Sequence, residues 1–126
     1  MSVVGIGTDI IEISRIANMK DKARENLANR VLTQCELEKY QQLSFPIPFL
    51  AKRWAAKEAA SKALGTGIAD GVSFQHFEVN SLKTGQPILS LTGRAHEVAL
   101  ALGASTWHIS LADEKKFATA FVILSS

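Results

Sequence analysis

The fold is decided by residues 53–67, which read RWAAKEAASKALGTG. At 100° per residue this segment is a helix with five alanines on one side and polar side chains on the other. The alanine side can pack closely against another element. The polar side offers a carboxylate, a hydroxyl and three cations within about three turns, namely Arg53, Lys57, Glu58, Ser61 and Lys62. This array suits a phosphate-bearing ligand held together with a divalent metal ion.

A simpler interpretation of the polar side stands beside that one. Glu58 and Lys62 form an i, i+4 pair in the favourable orientation, which supports any exposed helix by about 0.2–0.5 kcal/mol. The helix alone does not separate a solvated face from a binding site. The rest of the chain has to decide between them.

Length and composition bound the class of protein. A chain of 126 residues with 47% hydrophobic and 21% charged residues predicts one globular domain over residues 1–126. No apolar run is long enough to span a membrane, and the N-terminal segment shows no signal-peptide pattern. The lone Cys35 cannot form an intrachain disulfide, so we expect a reducing cytoplasm.

The net charge of +2 is unevenly distributed. Residues 1–62 hold ten Lys and Arg against seven Asp and Glu, whereas residues 63–126 hold four against five. Nucleic-acid binders usually carry a denser basic stripe, so we expect neither a nucleic acid nor a membrane as partner. The modest excess favours an acidic protein or a phosphorylated small molecule.

The order of predicted elements indicates an α+β fold. Strands come as local hairpins rather than alternating with crossover helices, which argues against a doubly wound sheet. A capping box at Thr33-Gln34-Cys35-Glu36 begins a short helix, and glycine closes the long one. The predicted strands are Val3–Thr8, Val72–Asn80, Pro87–Leu91, Thr106–Ala112 and Phe117–Leu124, and the predicted helices are Ile10–Leu32, Thr33–Leu43, Pro48–Leu64 and Gly93–Leu102.

A carboxylate near the N-terminus is a candidate partner for Glu58. On a strand with period 2, Gly5, Gly7 and Asp9 share one face, and glycine permits close approach by a ligand or another strand. Asp9 alone is compatible with capping the next helix. Together, Asp9 and Glu58 supply the hard oxygen ligands that Mg2+ prefers, and Lys57 and Lys62 would neutralise phosphate charge.

Two further surfaces are candidates for binding. His108 lies on the polar face of its predicted strand, where it could meet phosphate or only solvent. In the predicted helix after Asp9, the side chains of Arg15, Met19 and Lys22 follow i, i+4, i+7 spacing and form a basic stripe with an apolar middle. This stripe could dock an acidic helix or be an ordinary solvated face.

Two motifs together resemble those of a known family. Residues 5–12, GIGTDIIE, and residues 53–67 closely resemble the signature motifs of the bacterial holo-[acyl-carrier-protein] synthases, the small phosphopantetheinyl transferase group. The segments FEV at 77–79, GQP at 85–87 and WHISL at 107–111 are similar too. The resemblance covers nearly the whole chain, with the basic helix matched more loosely. It implies the 4′-phosphopantetheinyl transferase fold, with hairpin-linked strands packed on a long central helix.

The resemblance also implies an activity in fatty acid biosynthesis. Members transfer 4′-phosphopantetheine from coenzyme A to a serine of apo acyl carrier protein and release adenosine 3′,5′-bisphosphate. Asp9 and Glu58 would hold Mg2+ on the pyrophosphate, and Lys62 would bind phosphate or assist proton transfer. The remaining implied contacts are Arg53 and His108 with the 3′-phosphate or ribose, Ser61 and Gly65 with the nucleotide, and Arg15, Met19 and Lys22 with the carrier.

The resemblance leaves several points open. Members are typically homotrimers with sites between protomers, so some of these residues would serve a neighbour's site. The general base could be Glu58, Lys62 or a water on the metal ion. In each of these cases, Asp9 and Glu58 would be the catalytic carboxylates. Two rival hypotheses are a non-catalytic module that binds an acidic helix and a pyrophosphate hydrolase that uses the same metal site.

Overall fold

The computed structural model describes all 126 residues, which form five strands, five α-helices and one 3-10 turn. The α+β class predicted from the order of elements is confirmed, with the long helix at its centre. The elements in chain order are β1 (Val3–Glu12), α1 (Ile13–Ala17), α2 (Asp21–Val31), α3 (Gln34–Gln42), α4 (Pro46–Leu64), a 3-10 turn (Phe74–His76), β2 (Phe77–Ser81), β3 (Pro87–Leu91), α5 (Gly93–Ala101), β4 (Thr106–Asp113) and β5 (Phe117–Ser125).

The strands form two antiparallel sheets. The larger has the order β1-β5-β4, so the strand nearest the C-terminus lies in the middle and β1 forms one edge. The smaller is the β2-β3 hairpin. The inner face of the larger sheet packs on α4, and the buried side chains of β5, such as Ala118 and Val122, alternate with outward-facing ones.

Two glycines on β1 let α4 approach the sheet closely. A Cβ atom built on Gly7 would overlap the carbonyl oxygen of Ala59, and one on Gly5 would overlap that of Ala63. The prediction that these glycines give room to a ligand or another strand is therefore wrong, because the backbone of α4 fills that room. The contact holds β1 and α4 at a backbone-to-backbone distance that no side chain would allow.

Helix α4 is buried on most of its circumference, and its ends have clear causes. Pro46 is its first residue, where proline's missing N–H is no loss, so the helix begins two residues before the predicted Pro48. Gly65 ends it in the left-handed conformation, with φ of 82°, as predicted. Burial extends beyond the alanine side, because α1, α2, α3 and β2 cover much of the rest.

The segment after Asp9 differs from its prediction. Strand β1 continues to Glu12, and the single helix predicted for residues 10–32 is two helices separated by a turn. Arg24 holds this corner, since its guanidinium donates hydrogen bonds to the carbonyls of Ile16, Ala17 and Met19 at 3.2, 2.9 and 3.1 Å. Periodicity alone missed the break because the apolar positions resume in phase after it.

Two other boundaries test the local signals. The capping box predicted at residues 33–36 is present, since Thr33 N–H donates to the Glu36 carboxylate at 2.9 Å and Glu36 N–H donates to the Thr33 hydroxyl at 3.4 Å. The strand predicted from Val72 begins only at Phe77, because a 3-10 turn capped by Ser73 precedes it. None of the helices combines the length and the apolarity that crossing a bilayer requires.

Candidate active site

The close contact of β1 and α4 brings Asp9, Glu58 and Lys62 together. The Lys62 ammonium lies 2.9 Å from Asp9 Oδ1 and donates to the Thr8 carbonyl at 3.1 Å. The side chain of Lys62 is 52% exposed, whereas that of Asp9 is 15% exposed. The second oxygen of Asp9, Oδ2, is buried and has no hydrogen-bond partner. An unpartnered buried carboxylate oxygen is costly unless another group satisfies it.

Glu58 has a pKa above its usual range. Partial burial is the main cause and the negative charge of Asp9 adds to it. Lys62, a hydrogen bond from the Trp54 side chain and the positive charge of Arg30 offset part of this rise. A cation bound next to Glu58 would relieve this unfavourable charge.

The donor set fits Mg2+. Asp9 and Glu58 supply hard oxygens from two elements, and the unpartnered Oδ2 of Asp9 has a free coordination position. The structure contains no group of three or more His, Cys, Asp and Glu side chains that could hold a metal ion. Two protein carboxylates are what Mg2+ needs when substrate oxygens and water complete its octahedron. Zinc, which takes three or four protein ligands, does not fit.

The alternative role weighed for Asp9, a helix cap, is wrong. Strand β1 extends three residues beyond Asp9, so the first helix begins at Ile13 with Glu12 at its N-cap, and no side chain caps it. Asp9 pairs with Ala120 of β5 inside the sheet and faces α4. Its carboxylate therefore accepts no hydrogen bond from the N–H groups at the start of the first helix.

Lys57 does not belong to this site, contrary to the prediction that it neutralises phosphate. It is fully buried, and its ammonium lies 2.6 Å from Glu36 Oε1 and 2.7 Å from the Val31 carbonyl. Glu36 also accepts the backbone N–H of Val79 at 2.8 Å. Burial lowers the pKa of Lys57, and Glu36 offsets this. Lys57 thus joins α2, α3 and β2 to α4 from inside the protein.

Arg53 and Ser61 are also buried on α4, and neither side chain forms a hydrogen bond or ion pair with the carboxylates of Asp9 and Glu58. The Arg53 guanidinium lies over Phe49 at 4.4 Å, with Nε 3.9 Å from Glu36, and burial lowers its pKa. The hydroxyl of Ser61 donates to the Glu58 carbonyl at 2.8 Å. The protomer therefore does not bring Arg53 to Asp9 and Glu58, and the nucleotide contacts assigned to Arg53 and Ser61 stay predictions.

Gly65 and His108 occupy different parts of the molecule. Gly65 follows Lys62 by three residues, at the end of α4, and a Cβ atom built on it would meet no other atom within 4 Å. His108 is exposed on β4 and lies on the outer face of the sheet. Its partner on β5 is Ile123, which in turn pairs with Ile6 of β1. It lies two strands away from Asp9. Within this chain it does not meet the carboxylate pair, and its ligand contact stays a prediction.

The predicted carrier-binding residues do not form a helical stripe. Arg15 lies in α1, Met19 in the turn and Lys22 in α2, so the i, i+4, i+7 geometry is interrupted. Arg15 and Lys22 are exposed, and the Arg15 guanidinium lies 5.1 Å from the centre of the Trp54 ring. Trp54 connects this surface to Glu58, and its position one turn before Glu58 was a signal available in the sequence. No sequence signal placed Arg30 near the site.

The comparisons with known proteins give the family of this chain. The profile described as the 4′-phosphopantetheinyl transferase superfamily matches residues 5–122. The chain belongs to this superfamily. The predicted resemblance, and with it the identification as an enzyme of this transferase family, is confirmed. Proteins named holo-[acyl-carrier-protein] synthase from Photorhabdus laumondii and Yersinia enterocolitica are 52% and 50% identical, over 98% and 100% of both chains.

Solved structures in the superfamily have the same fold. The holo-[acyl-carrier-protein] synthase of Neisseria meningitidis has a TM-score of 0.89 at 37% identity, covering 99% of this chain and 100% of that one. The Bacillus anthracis synthase, in complex with coenzyme A (3′,5′-ADP), has a TM-score of 0.80 at 39% identity, covering 97% and 96%. The Helicobacter pylori synthase, in complex with coenzyme A, has a TM-score of 0.81 at 27% identity, covering 95% and 99%.

Proposed function

We propose that residues 1–126 form one catalytic domain that transfers 4′-phosphopantetheine from coenzyme A to a serine of apo acyl carrier protein. The reaction would depend on Mg2+, release adenosine 3′,5′-bisphosphate and serve fatty acid biosynthesis in the cytoplasm. The observation that carries the proposal is the pair Asp9 and Glu58, held together by a backbone contact, with Lys62 beside them. Relatives named as synthases and relatives with bound coenzyme A support it.

The chemistry assigns a task to each of these side chains. The serine oxygen attacks the β-phosphorus, and the bond from that phosphorus to the bridging oxygen breaks, so that adenosine 3′,5′-bisphosphate leaves. Asp9 and Glu58 would hold Mg2+, which would stabilise the charge that develops on the phosphate oxygens. Lys62, half exposed, would reach the same oxygens. The serine proton needs an acceptor, and Glu58 and Lys62 are the two candidates of this chain.

The carrier would dock beside this site. Arg15 and Lys22 are exposed cations, and the position of Arg15 over Trp54 brings that surface next to Glu58. An acidic helix on this surface would present its serine to the carboxylate pair, because positive charge steers and orients an acidic partner.

The assembly would be a homotrimer with sites between protomers. The outer face of the larger sheet is uncovered, and it exposes large apolar side chains, with Ile6 60%, Ile10 59% and Phe121 41% exposed. Single exposed apolar residues are common, but several on neighbouring strands of one sheet face favour an interface. His108 lies on this face, so association would take it towards another protomer's site.

One experiment tests the activity. Incubation with coenzyme A, Mg2+ and apo carrier protein should raise the carrier mass by about 340 Da, the mass of one phosphopantetheine. Asp9→Ala and Glu58→Ala should each lower the rate by at least about a hundredfold, and chelation of Mg2+ should abolish it. Glu114→Ala, an exposed carboxylate in the β4–β5 turn, is the matched control.

Two results would overturn the proposal. A carrier of unchanged mass would favour the rival binding module, whereas adenosine bisphosphate released without any carrier would favour a hydrolase. Equal losses from Glu58→Ala and Glu114→Ala would remove the metal assignment.

A further inference from the structure

The C-terminal end of α2 is fixed by two side chains from other elements. The Lys57 ammonium donates to the Val31 carbonyl at 2.7 Å. The Gln75 amide donates to the carbonyls of Arg30 at 3.1 Å and Leu32 at 2.7 Å. These carbonyls have no partners within the helix, and a cation at this end also complements the helix dipole. The backbone of Arg30 is therefore rigidly held.

The side chain of Arg30 is also held in place, by an aromatic ring, but it has no anionic partner. Its guanidinium lies 5.4 Å from the centre of the Phe74 ring, and Phe74 is buried. Arg30 forms none of the ion pairs of the structure, although Asp and Glu side chains satisfy other arginines such as Arg24 and Arg94. Stacking on an aromatic face leaves the edge N–H groups of a guanidinium free to bind an anion.

The end of α2 that carries Arg30 packs against α4 next to Glu58 in the chain. Lys57, which precedes Glu58, contacts the carbonyl of Val31 at 2.7 Å, and Val31 directly follows Arg30. The two residues thus flank one buried hydrogen bond between α4 and α2. In agreement with this placement, Arg30 is one of the cations that counter the rise in the pKa of Glu58.

The negative charge of the proposed substrate favours a further cation at the site of Asp9 and Glu58. Asp9 and Glu58 cancel the charge of a divalent ion, which leaves Lys62 against the pyrophosphate and 3′-phosphate of coenzyme A. These phosphates carry roughly four negative charges at neutral pH. An arginine whose partner is absent from the protein, fixed at the rim of such a site, matches two phosphate oxygens with two parallel N–H donors.

We propose that Arg30 binds the pyrophosphate of the nucleotide substrate, as a second cation opposite Lys62. The proposal rests on the function proposed above and adds one substrate-binding residue to it. Lys57 and Gln75 act as positioning residues that hold the backbone of Arg30. The location at the C-terminal end of α2, where that helix packs against α4, favours the nucleotide over the carrier, which would meet the other end of α2 at Lys22.

Binding measurements on Arg30 variants test this. We expect Arg30→Ala to weaken coenzyme A binding in the presence of Mg2+ by about ten- to a hundredfold in calorimetry, the size of a charged hydrogen bond. Arg30→Lys should lose less, because it keeps the charge without the paired donors. The KM for the carrier should stay within about twofold. Lys83→Ala, an exposed cation in the β2–β3 turn, should match the wild type.

Each outcome decides one point. Unchanged coenzyme A binding, or a raised KM for the carrier alone, would overturn the proposal and move Arg30 to the docking surface. A loss that disappears with 3′-dephospho-coenzyme A would contradict the pyrophosphate assignment. Because binding is measured without transfer, a wild type that binds coenzyme A but modifies no carrier sinks the proposed function and not this one.

Discussion

At Glu58, the stability of the folded chain and the proposed metal binding favour different charge states. Burial and Asp9 raise its pKa, so the folded chain takes up a proton on Glu58 at a pH where the unfolded chain has lost it. The charged carboxylate therefore lowers stability above the raised pKa. This cost disappears as the pH falls through that pKa. The metal-free protein keeps a destabilising charge where the proposed reaction needs a ligand.

The first prediction follows from that sign. In metal-free protein, Glu58→Gln should raise Tm at pH 7 to 8 by on the order of 1–3 °C, a small gain because the side chain is only partly buried. The gain should shrink towards pH 4, near the carboxyl pKa of an unfolded chain. Calorimetric scans at several pH values measure it, with Glu114→Gln as control. A lower Tm at neutral pH would contradict the argument.

The second prediction concerns the buried pair of Lys57 and Glu36. Lys57→Met should lower the free energy of unfolding by about 3–5 kcal/mol, because it leaves a buried carboxylate without its cation. The double variant Lys57→Met/Glu36→Gln should recover most of this loss, since its amide can still accept from Val79 N–H. Urea unfolding measures both. Lys62→Met, which removes a half-exposed ammonium, should cost less than about 1 kcal/mol, and equal costs for the two lysines would refute the assignment.

At the scale of elements, the contact of β1 with α4 sets the distance between the two carboxylates. The carbonyl oxygens of Ala59 and Ala63 occupy the space where Gly7 and Gly5 would carry Cβ atoms. Any side chain there must push the helix away from the strand. Asp9 and Glu58 would then move apart, so the same substitution should harm both stability and metal binding.

The third prediction tests this contact. Gly7→Ala should cost on the order of 3 kcal/mol in unfolding free energy, the upper range for overpacking. Gly103→Ala is the control, since its φ of 88° is also unfavourable for alanine but the space around it is open. It should cost about 1–2 kcal/mol. A loss from Gly7→Ala no larger than that from Gly103→Ala would contradict the close-packing argument, because the φ of Gly7 is not positive.

The fourth prediction belongs to the corner between α1 and α2. Lys22→Glu should raise the KM for the carrier by about tenfold or more, because it reverses a charge on the proposed docking surface. The KM for coenzyme A should hardly change. Steady-state kinetics in both substrates, at low and high salt, measure this, and Lys83→Glu is the control. A shift in the KM for coenzyme A instead would place Lys22 at the nucleotide.

Some elements follow from local sequence and others do not. The capping box at Thr33 and the left-handed Gly65 are set by neighbouring residues, so they were predictable. The break at residues 18–20 is held by Arg24, which acts across the corner from the next helix. Similarly, periodicity separates the alanines of α4 from its polar side chains, but it does not tell which polar side is covered. Lys57 and Glu58 are adjacent, and only tertiary packing separates core from site.

At the scale of the whole molecule, we expect the outer sheet face to form the contacts of the proposed trimer. This gives the fifth prediction. Light scattering should show the wild type at three times its chain mass of 13.7 kDa, and Phe121→Lys should dissociate it by placing a charge on the central strand. Leu82→Lys, a similarly exposed apolar residue in the β2–β3 turn, is the control. A monomeric wild type, or a Phe121→Lys variant that still associates, would contradict the proposed trimer.

Only part of the candidate site was predictable, because tertiary packing decides which side chains meet. Asp9, Glu58 and Lys62 lie in two motifs, and the structure brings them together within one chain. His108 lies on the apolar face that other protomers would cover, so neither its spacing nor the fold of a single chain gives its partner. Arg30 was missed because its placement depends on Phe74 and Gln75, which are distant in sequence.

The order of strands in the larger sheet has a consequence for synthesis. The chain is made from its N-terminus, so β1 leaves the ribosome first, yet its only sheet partner is β5 at residues 117–125. Until β5 is made, β1 has an unpaired edge, which is open to pairing with other chains. Asp9 therefore lies on a strand that lacks its sheet partner until almost the whole chain has been made.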